Sequence, residues 1–271
     1  MGKKKVLVGM PVRPGESAKL GAALGLYGWT FQTPQDQLDP AERTAIMRSH
    51  ASSSVLPLTF DMLWCGALNG FERGEVTHFA MIHDDVIPQS NWLGILIEEL
   101  DKYEADIVSA IIALKDERGL TSTAIDETGD PWNPRRLSFT EVFREAETFT
   151  HPKILLNSGL WVCDLSRDWV RRTLAHPDGR TALVASFVQR NRIVRDKTTG
   201  HWMPQMRSED WEFCRAARNA GATKLYATRR VKVIHEGPPY VNDRPWGTHK
   251  TEPELVRPAS EPIEPIPAPL G

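Results

Sequence analysis

Residues 76–86 read Val-Thr-His-Phe-Ala-Met-Ile-His-Asp-Asp-Val (VTHFAMIHDDV). An apolar strand runs straight into two adjacent carboxylates, Asp84 and Asp85, so negative charge arrives where the backbone leaves the core. Unpaired carboxylates beside a low dielectric are costly. A divalent cation is the usual remedy, because a hard ion takes oxygen ligands and can hold a diphosphate at the same time. The stretch therefore reads as a sheet strand whose carboxyl end carries a metal and phosphate-ester site. The competing reading makes both residues turn acids, with Asp85 capping the exit of the chain; the apolar run in front favours the metal.

On either side, strand and helix patterns alternate. Upstream, Leu56, Phe60, Leu63, Ala67 and Phe71 recur at three- and four-residue steps, which predicts a helix over 56–73 closed by Gly74 as a C-cap glycine. Downstream, Ser90 or Asn91 can cap a helix running to Tyr103, with Trp92, Ile95, Leu96 and Leu100 on one face. Asp106–Leu114 (DIVSAIIAL) is apolar without alternation, as a strand buried on both faces is. Lys5–Val12 is a first strand, 17–30 is weakly helical, and 32–39 is a loop. Farther on, 153–164 reads as two apolar pieces broken at Asn157-Ser158-Gly159, 168–174 as a short helix and 195–207 as a polar loop. An amphipathic helix then starts at Ser208-Glu209-Asp210 and ends before Gly221, and short strands follow at 224–227 and 231–235. This alternation argues for an α/β domain with a mostly parallel central sheet flanked by helices.

Residues 1–248 form that single domain in this reading. Within it, 115–150 is polar, rich in turn residues and without sustained period, as an acceptor-side insertion or lid would be. Residues 249–271 are rich in Pro and Glu and read as an extended C-terminal tail.

The chain has 271 residues and a formal net charge of −2, so no global basic field drives it onto nucleic acid or anionic lipid. No apolar run is long enough for a membrane span. The three lysines at 3–5 lead directly into a strand rather than a signal peptide. Cys65, Cys163 and Cys214 have neither metal-ligand nor disulfide spacing; Cys65 and Cys214 read as small buried hydrophobes, and a reducing cytoplasm fits.

Four pieces follow one another in order: Met10-Pro11-Val12-Arg13, His83-Asp84-Asp85, Asn157-Ser158-Gly159-Leu160-Trp161, and Ser208-Glu209-Asp210-Trp211, the last followed by a strand ending in Val233-Ile234-His235-Glu236-Gly237. Together they resemble the GT-A fold glycosyltransferases, a Rossmann-like α/β class, and in particular family-2-like members of the compact kind carried by bacteriophages. The resemblance covers about residues 5–240. It implies that His83-Asp84-Asp85 takes the Asp-any-Asp position, with His83 in place of the first acid. Asp85 would coordinate Mn²⁺ or Mg²⁺, His235 would be a second ligand, and Asp84 would contact the donor ribose or a metal-bound water. Pro11 and Arg13 would lie against the nucleotide, and Asn157, Ser158 and Gly159 would line the sugar and acceptor pocket. Asp210 would be the catalytic base, with Glu209 beside it. The implied donor is a nucleotide-sugar, UDP-linked, and the implied route is inverting. The resemblance raises a 5-hydroxymethyl-pyrimidine in DNA as one acceptor, and the hydroxyl of a surface glycan, a protein or a small molecule stays equally open.

The chemistry agrees from first principles. Glycosyl transfer loads negative charge onto a nucleotide diphosphate, which a divalent ion stabilises more in the transition state than in the ground state. The acceptor hydroxyl needs a base in reach. Each piece also has a plainer structural role: Ser208-Glu209-Asp210 alone is a helix start, Asn157-Ser158-Gly159 alone a turn, His235 alone a strand-end residue. Among nine tryptophans, Trp132, Trp202, Trp211 and Trp246 are candidate stacking platforms for a sugar or base, while Trp64, Trp92 and Trp161 lie in core-like contexts. Two rival functions use the same features: a nucleotidyltransferase acting on a sugar phosphate, and a non-catalytic nucleotide-sugar or glycan-binding module.

Overall fold

Seven strands make the central sheet: β1 (Lys5–Val12), β2 (Ala45–Ser52), β3 (His78–Ile82), β4 (Ile107–Ala110), β5 (Thr148–Phe149), β6 (Leu160–Asp164) and β7 (Leu225–Thr228). Their order across the sheet is β2-β1-β3-β6-β4-β7-β5. β1 is parallel to both β2 and β3, and β4 to β7. β6 runs antiparallel to β3 and β4, and β5 antiparallel to β7. Five strands thus share one direction, and the protein is a mixed α/β domain with a mostly parallel sheet. The computed structural model describes residues 4–15, 19–28, 30–33, 35–39, 43–236 and 240–243; Gly237, Trp246 and the proline-rich tail lie outside them.

The alternation within each strand sorts the side chains into two cores. Leu7 of β1, Phe79 and Met81 of β3, and Trp161 and Cys163 of β6 face one core. There they meet Phe60, Leu63 and Trp64 of helix α2 (Leu56–Glu72) and Trp211 and Phe213 of the last helix. Val6, Val8 and Met10 of β1, Ala80 and Ile82 of β3, and Leu160 and Val162 of β6 face the other. That core is closed by Ala22 and Leu26 of α1 (Leu20–Tyr27) and by Trp92, Leu93 and Leu96 of α3 (Trp92–Lys102). A sheet buried on both faces explains the run 107–113, apolar except for Ser109, every residue of which is buried.

The segment 115–150, aperiodic in sequence, folds around its own small sheet. Leu120–Ile125 pairs antiparallel with Arg135–Ser138 on one side and Ile154–Leu155 on the other. A short helix α4 (Phe139–Val142) follows, its start fixed by a reciprocal Ser138–Glu141 capping box. Its strands are masked in sequence by a register shift between Leu120 and Ala124. A second small sheet joins Val233–His235 to Val86–Pro88 and to Tyr240–Val241.

Several expectations need correction. The expected polar loop at 195–207 is the second half of a hairpin in which Arg190–Arg195 pairs with Trp202–Arg207; its charged residues conceal the alternation. Residues 168–174 form only one 3₁₀ turn, Asp168–Arg171, before the strand Thr173–Ala175. Asn91 precedes α3 in a left-handed conformation, φ 64°, and its side chain accepts from the Gln32 N–H rather than capping the helix. Cys65 is exposed, whereas Cys163 and Cys214 are buried. No helix among the described residues is long and apolar enough to cross a membrane.

Candidate functional site

The five co-directional strands end on one edge of the sheet, and the chain reverses its direction of travel across the sheet between β1 and β3. Crevices at the carboxyl ends of strands beside such a reversal are the usual ligand sites of open α/β sheets. Arg13, exposed, stands just beyond β1, and His83-Asp84-Asp85 just beyond β3. β6 runs the other way, so its start brings Asn157-Ser158-Gly159 to the same edge. Pro11 is buried inside β1, in register with Ala51 of β2.

Local hydrogen bonds lock these turns together. The His83 N–H donates to the Gly159 carbonyl over 2.9 Å. Asn157 spends its side chain on the backbone: its amide donates to the Ala110 carbonyl over 2.8 Å, and its oxygen accepts from the Gly159 N–H over 3.0 Å. Ser109 adds a hydroxyl donor to the Asn157 carbonyl at 2.9 Å. A Cβ at Gly159 would fall 2.6 Å from Cδ1 of Ile112, so a side chain there would require the buried Ile112 to shift.

Two side-chain clusters form on this frame. In the first, Asp85 Oδ2 lies 2.5 Å from Lys115 Nζ and 3.4 Å from His235 Nε2. His235 arrives because Val233–His235 pairs with Val86–Pro88, placing His235 opposite Val86. Its Nδ1 is 2.7 Å from the Ala113 carbonyl, which only accepts, so Nδ1 carries a proton, and Nε2 faces Asp85 Oδ2. Burial works against ionisation of Asp85, but hydrogen bonds from His235 and Lys115 outweigh it and hold the carboxyl well below the usual carboxylate range.

In the second cluster α5 (Glu209–Ala220) presents Asp210 from its first turn. The Ser158 hydroxyl donates to Asp210 Oδ1. With that proton committed, Ser158 Oγ accepts from Nε2–H of His83, 3.3 Å away. Burial, and then the charge of Glu209, push the Asp210 carboxyl up to about 7, against the lowering effect of the Ser158 hydrogen bonds and Arg136. Glu209, buried next to it, is also raised by burial. His83 is pushed down to about 4, by burial first and then by His235 and Lys115, with Asp85 opposing, so its imidazole is neutral near pH 7. The ring packs 5.0 Å from that of Phe60, at the rim of an aromatic cluster that includes the stacked pair Phe187–Phe213. His83 therefore joins the clusters: its neighbour in sequence is Asp84, its electrostatic partner Asp85, and its hydrogen-bond partner Ser158.

The first cluster fits a divalent cation. A carboxylate oxygen and an imidazole nitrogen 3.4 Å apart can share one ion, and the Ala113 carbonyl orients the imidazole as outer partners of metal-bound histidines do. Among the described residues no group of three or more His, Cys, Asp or Glu side chains is placed to hold a metal, so phosphate and water oxygens would complete the shell. Of the stacking candidates, Trp211 is only 6 % exposed and donates to the Ser122 carbonyl, because its position on α5 faces the core. Trp132 is covered by Arg192, whose guanidinium lies 4.2 Å from the ring centre. Trp202 is 69 % exposed. Trp64, Trp92 and Trp161 are buried as expected.

Sequence reasoning missed Lys115. The signal was available: Lys115 is the first charged residue after a buried strand, the same feature that drew attention to Asp84-Asp85. A cavity of about 440 Å³ lies at the opposite end of β3, lined by Lys4, His78, Asp101, Asp164 and Arg167 among others, and holds none of the candidate residues.

No protein-family model matches the sequence, and no curated protein matches it. Among solved structures the chain is similar to A197 from STIV, at 15% identity and a TM-score of 0.46 over 90% of this chain and 94% of that one. It is also similar to S. aureus TarS, at 10% identity and a TM-score of 0.40 over 83% of this chain and 35% of that one.

Proposed function

We propose that this edge of the sheet is the active site of a GT-A-type glycosyltransferase that moves a sugar from a nucleotide-sugar, UDP-linked, to an acceptor hydroxyl with inversion. One observation carries the reading: Asp85 and His235, 3.4 Å apart, and a carboxyl raised to about 7, Asp210, stand at one sheet edge and are joined through His83 and Ser158. Displacement at an anomeric carbon needs these two ends, a charge sink for the departing diphosphate and a base for the incoming hydroxyl.

Asp85 and His235 would hold Mn²⁺ or Mg²⁺, and Asp84 stands beside them for the ribose or a metal-bound water. When bound, the ion supplies charge stabilisation to the leaving diphosphate. Ser158 fixes the Asp210 rotamer by occupying Oδ1, which leaves Oδ2 for the acceptor. Asp210 takes the hydroxyl proton as the new C–O bond forms and the anomeric bond to phosphate breaks. A carboxyl near 7 is matched to that task at neutral pH, and such bases contribute about 10²- to 10⁴-fold. Glu209 keeps the pair's shared charge high and so keeps Asp210 basic. The acceptor is a glycan or a 5-hydroxymethyl-pyrimidine in DNA, and the exposed Trp202 on the hairpin that leads into α5 offers a stacking surface for either.

The test is transfer and donor hydrolysis across a panel of UDP-sugars, with and without Mn²⁺, using wild type and Asp85→Ala. Turnover that needs Mn²⁺ and falls at least about 100-fold in Asp85→Ala is expected. Undiminished turnover in the variant refutes the assignment of Asp85. Pyrophosphate release from a nucleoside triphosphate and a sugar phosphate would replace this reading with a nucleotidyltransferase.

A further inference from the structure

We propose that Lys115 is an exchangeable counter-cation built into the metal site: its ammonium holds the Asp85 carboxylate until a divalent ion arrives with the donor, and then moves onto the donor diphosphate. The inference rests on the nucleotide-sugar reading of the same site.

The geometry sets up a direct competition. Lys115 Nζ lies 2.5 Å from Asp85 Oδ2, the same oxygen that faces His235 Nε2 at 3.4 Å. A divalent ion bound between that oxygen and Nε2 would stand next to the ammonium, and two cations cannot share one carboxylate oxygen without strong repulsion. The ammonium must leave for the ion to bind. It is able to leave: the Lys115 side chain is about one-third exposed, at 34%, and it is carried on the stretch between β4 and the strand Leu120–Ile125, not inside either. The backbone two residues before it is tied down separately, through the Ala113 carbonyl and His235 Nδ1 2.7 Å away. Lysine suits such a role, with a compact charge on a flexible stem.

An incoming diphosphate changes the balance. It adds negative charge next to Asp85, gives the displaced ammonium a new partner, and supplies oxygens for the ion. Metal and nucleotide then favour each other's binding, and a metal alone binds weakly because it must displace Lys115 without compensation.

Mn²⁺ binding to the full chain, followed by the electron paramagnetic resonance signal of free Mn²⁺, tests this without reference to turnover. In wild type, Mn²⁺ alone is expected to bind weakly and UDP to tighten it. In Lys115→Met, Mn²⁺ alone is expected to bind about tenfold tighter, and the tightening by UDP to shrink by a similar factor, within the ordinary range of coupling between ligands. Lys115→Arg keeps the charge and is expected to keep the weak binding. Circular dichroism and thermal unfolding establish that each variant is folded. Equal or weaker Mn²⁺ binding in Lys115→Met, with binding abolished by Asp85→Asn, overturns the exchange and leaves the metal site standing. Mn²⁺ binding that Asp85→Asn does not alter overturns both.

Discussion

Replacing Asp210 by Asn should stabilise the protein at alkaline pH while removing transfer activity. Between the ordinary carboxyl value of 3.8 and the value of about 7 that Asp210 reaches in the fold lie just over three pH units. Each is worth about 1.4 kcal/mol between the two protonation states, so ionising Asp210 within the fold costs at most about 4 kcal/mol. Solvent reaching a half-buried carboxylate, and charge shared with Glu209, reduce this to about 2 kcal/mol. A carboxyl that is raised on folding binds more protons folded than unfolded between these two values. Stability therefore falls as pH rises from 3.8 to about 7, and the full cost is present above that. Asparagine keeps an acceptor for the Ser158 hydroxyl and carries no charge. The gain in Asp210→Asn should thus be near zero at about pH 4 and about 2 kcal/mol at about pH 8, or about 4 °C in Tm for a domain of this size. Urea unfolding of both proteins across that range, followed by tryptophan fluorescence, measures it. A gain that does not depend on pH, or a loss of stability at pH 8, refutes the claim that the fold holds this carboxyl in a high-energy state.

Ser158→Ala removes a hydrogen bond that favours the ionised form of Asp210; the acid limb of kcat/KM for transfer should move up by about one pH unit, the scale of one hydrogen bond to a charged group, and an unmoved limb would remove Ser158 from the base's surroundings. Gly159→Ala forces a methyl against Ile112 at 2.6 Å and should cost about 1–3 kcal/mol of stability in thermal unfolding, with transfer lowered as well because His83 is tied to the Gly159 carbonyl.

The sheet was readable wherever a strand is buried on both faces or a helix shows a clean apolar stripe. Apolar runs marked β3 and β4, and spacing marked α2 and its end, where Gly74 adopts φ 70°. β2 was not recognised, because Arg48, Ser49 and His50 interrupt it as residues of an edge strand do. The hairpin of 190–207 was hidden for the same reason. At the site, strand-end carboxylates stand out from sequence because charge after an apolar run is locally unusual. What no local pattern contains is which distant residue each one meets. That His83 and Asp210 share Ser158, or that Lys115 meets Asp85, follows from the order of strands across the sheet.

The pairing of His235 with the Ala113 carbonyl bridges 122 residues, and its strand is held at the edge by the pairing with Val86–Pro88. In the order of the sequence, β1, β3, β4 and Asp85 all precede the strand that carries His235. The Asp85–His235 pair thus needs the late strand in register to within one residue, since a one-residue slip would turn His235 to the opposite face. A chain that stops before that strand, or pairs it out of register, keeps the strands of the central sheet but leaves Asp85 without the imidazole that otherwise stands 3.4 Å away.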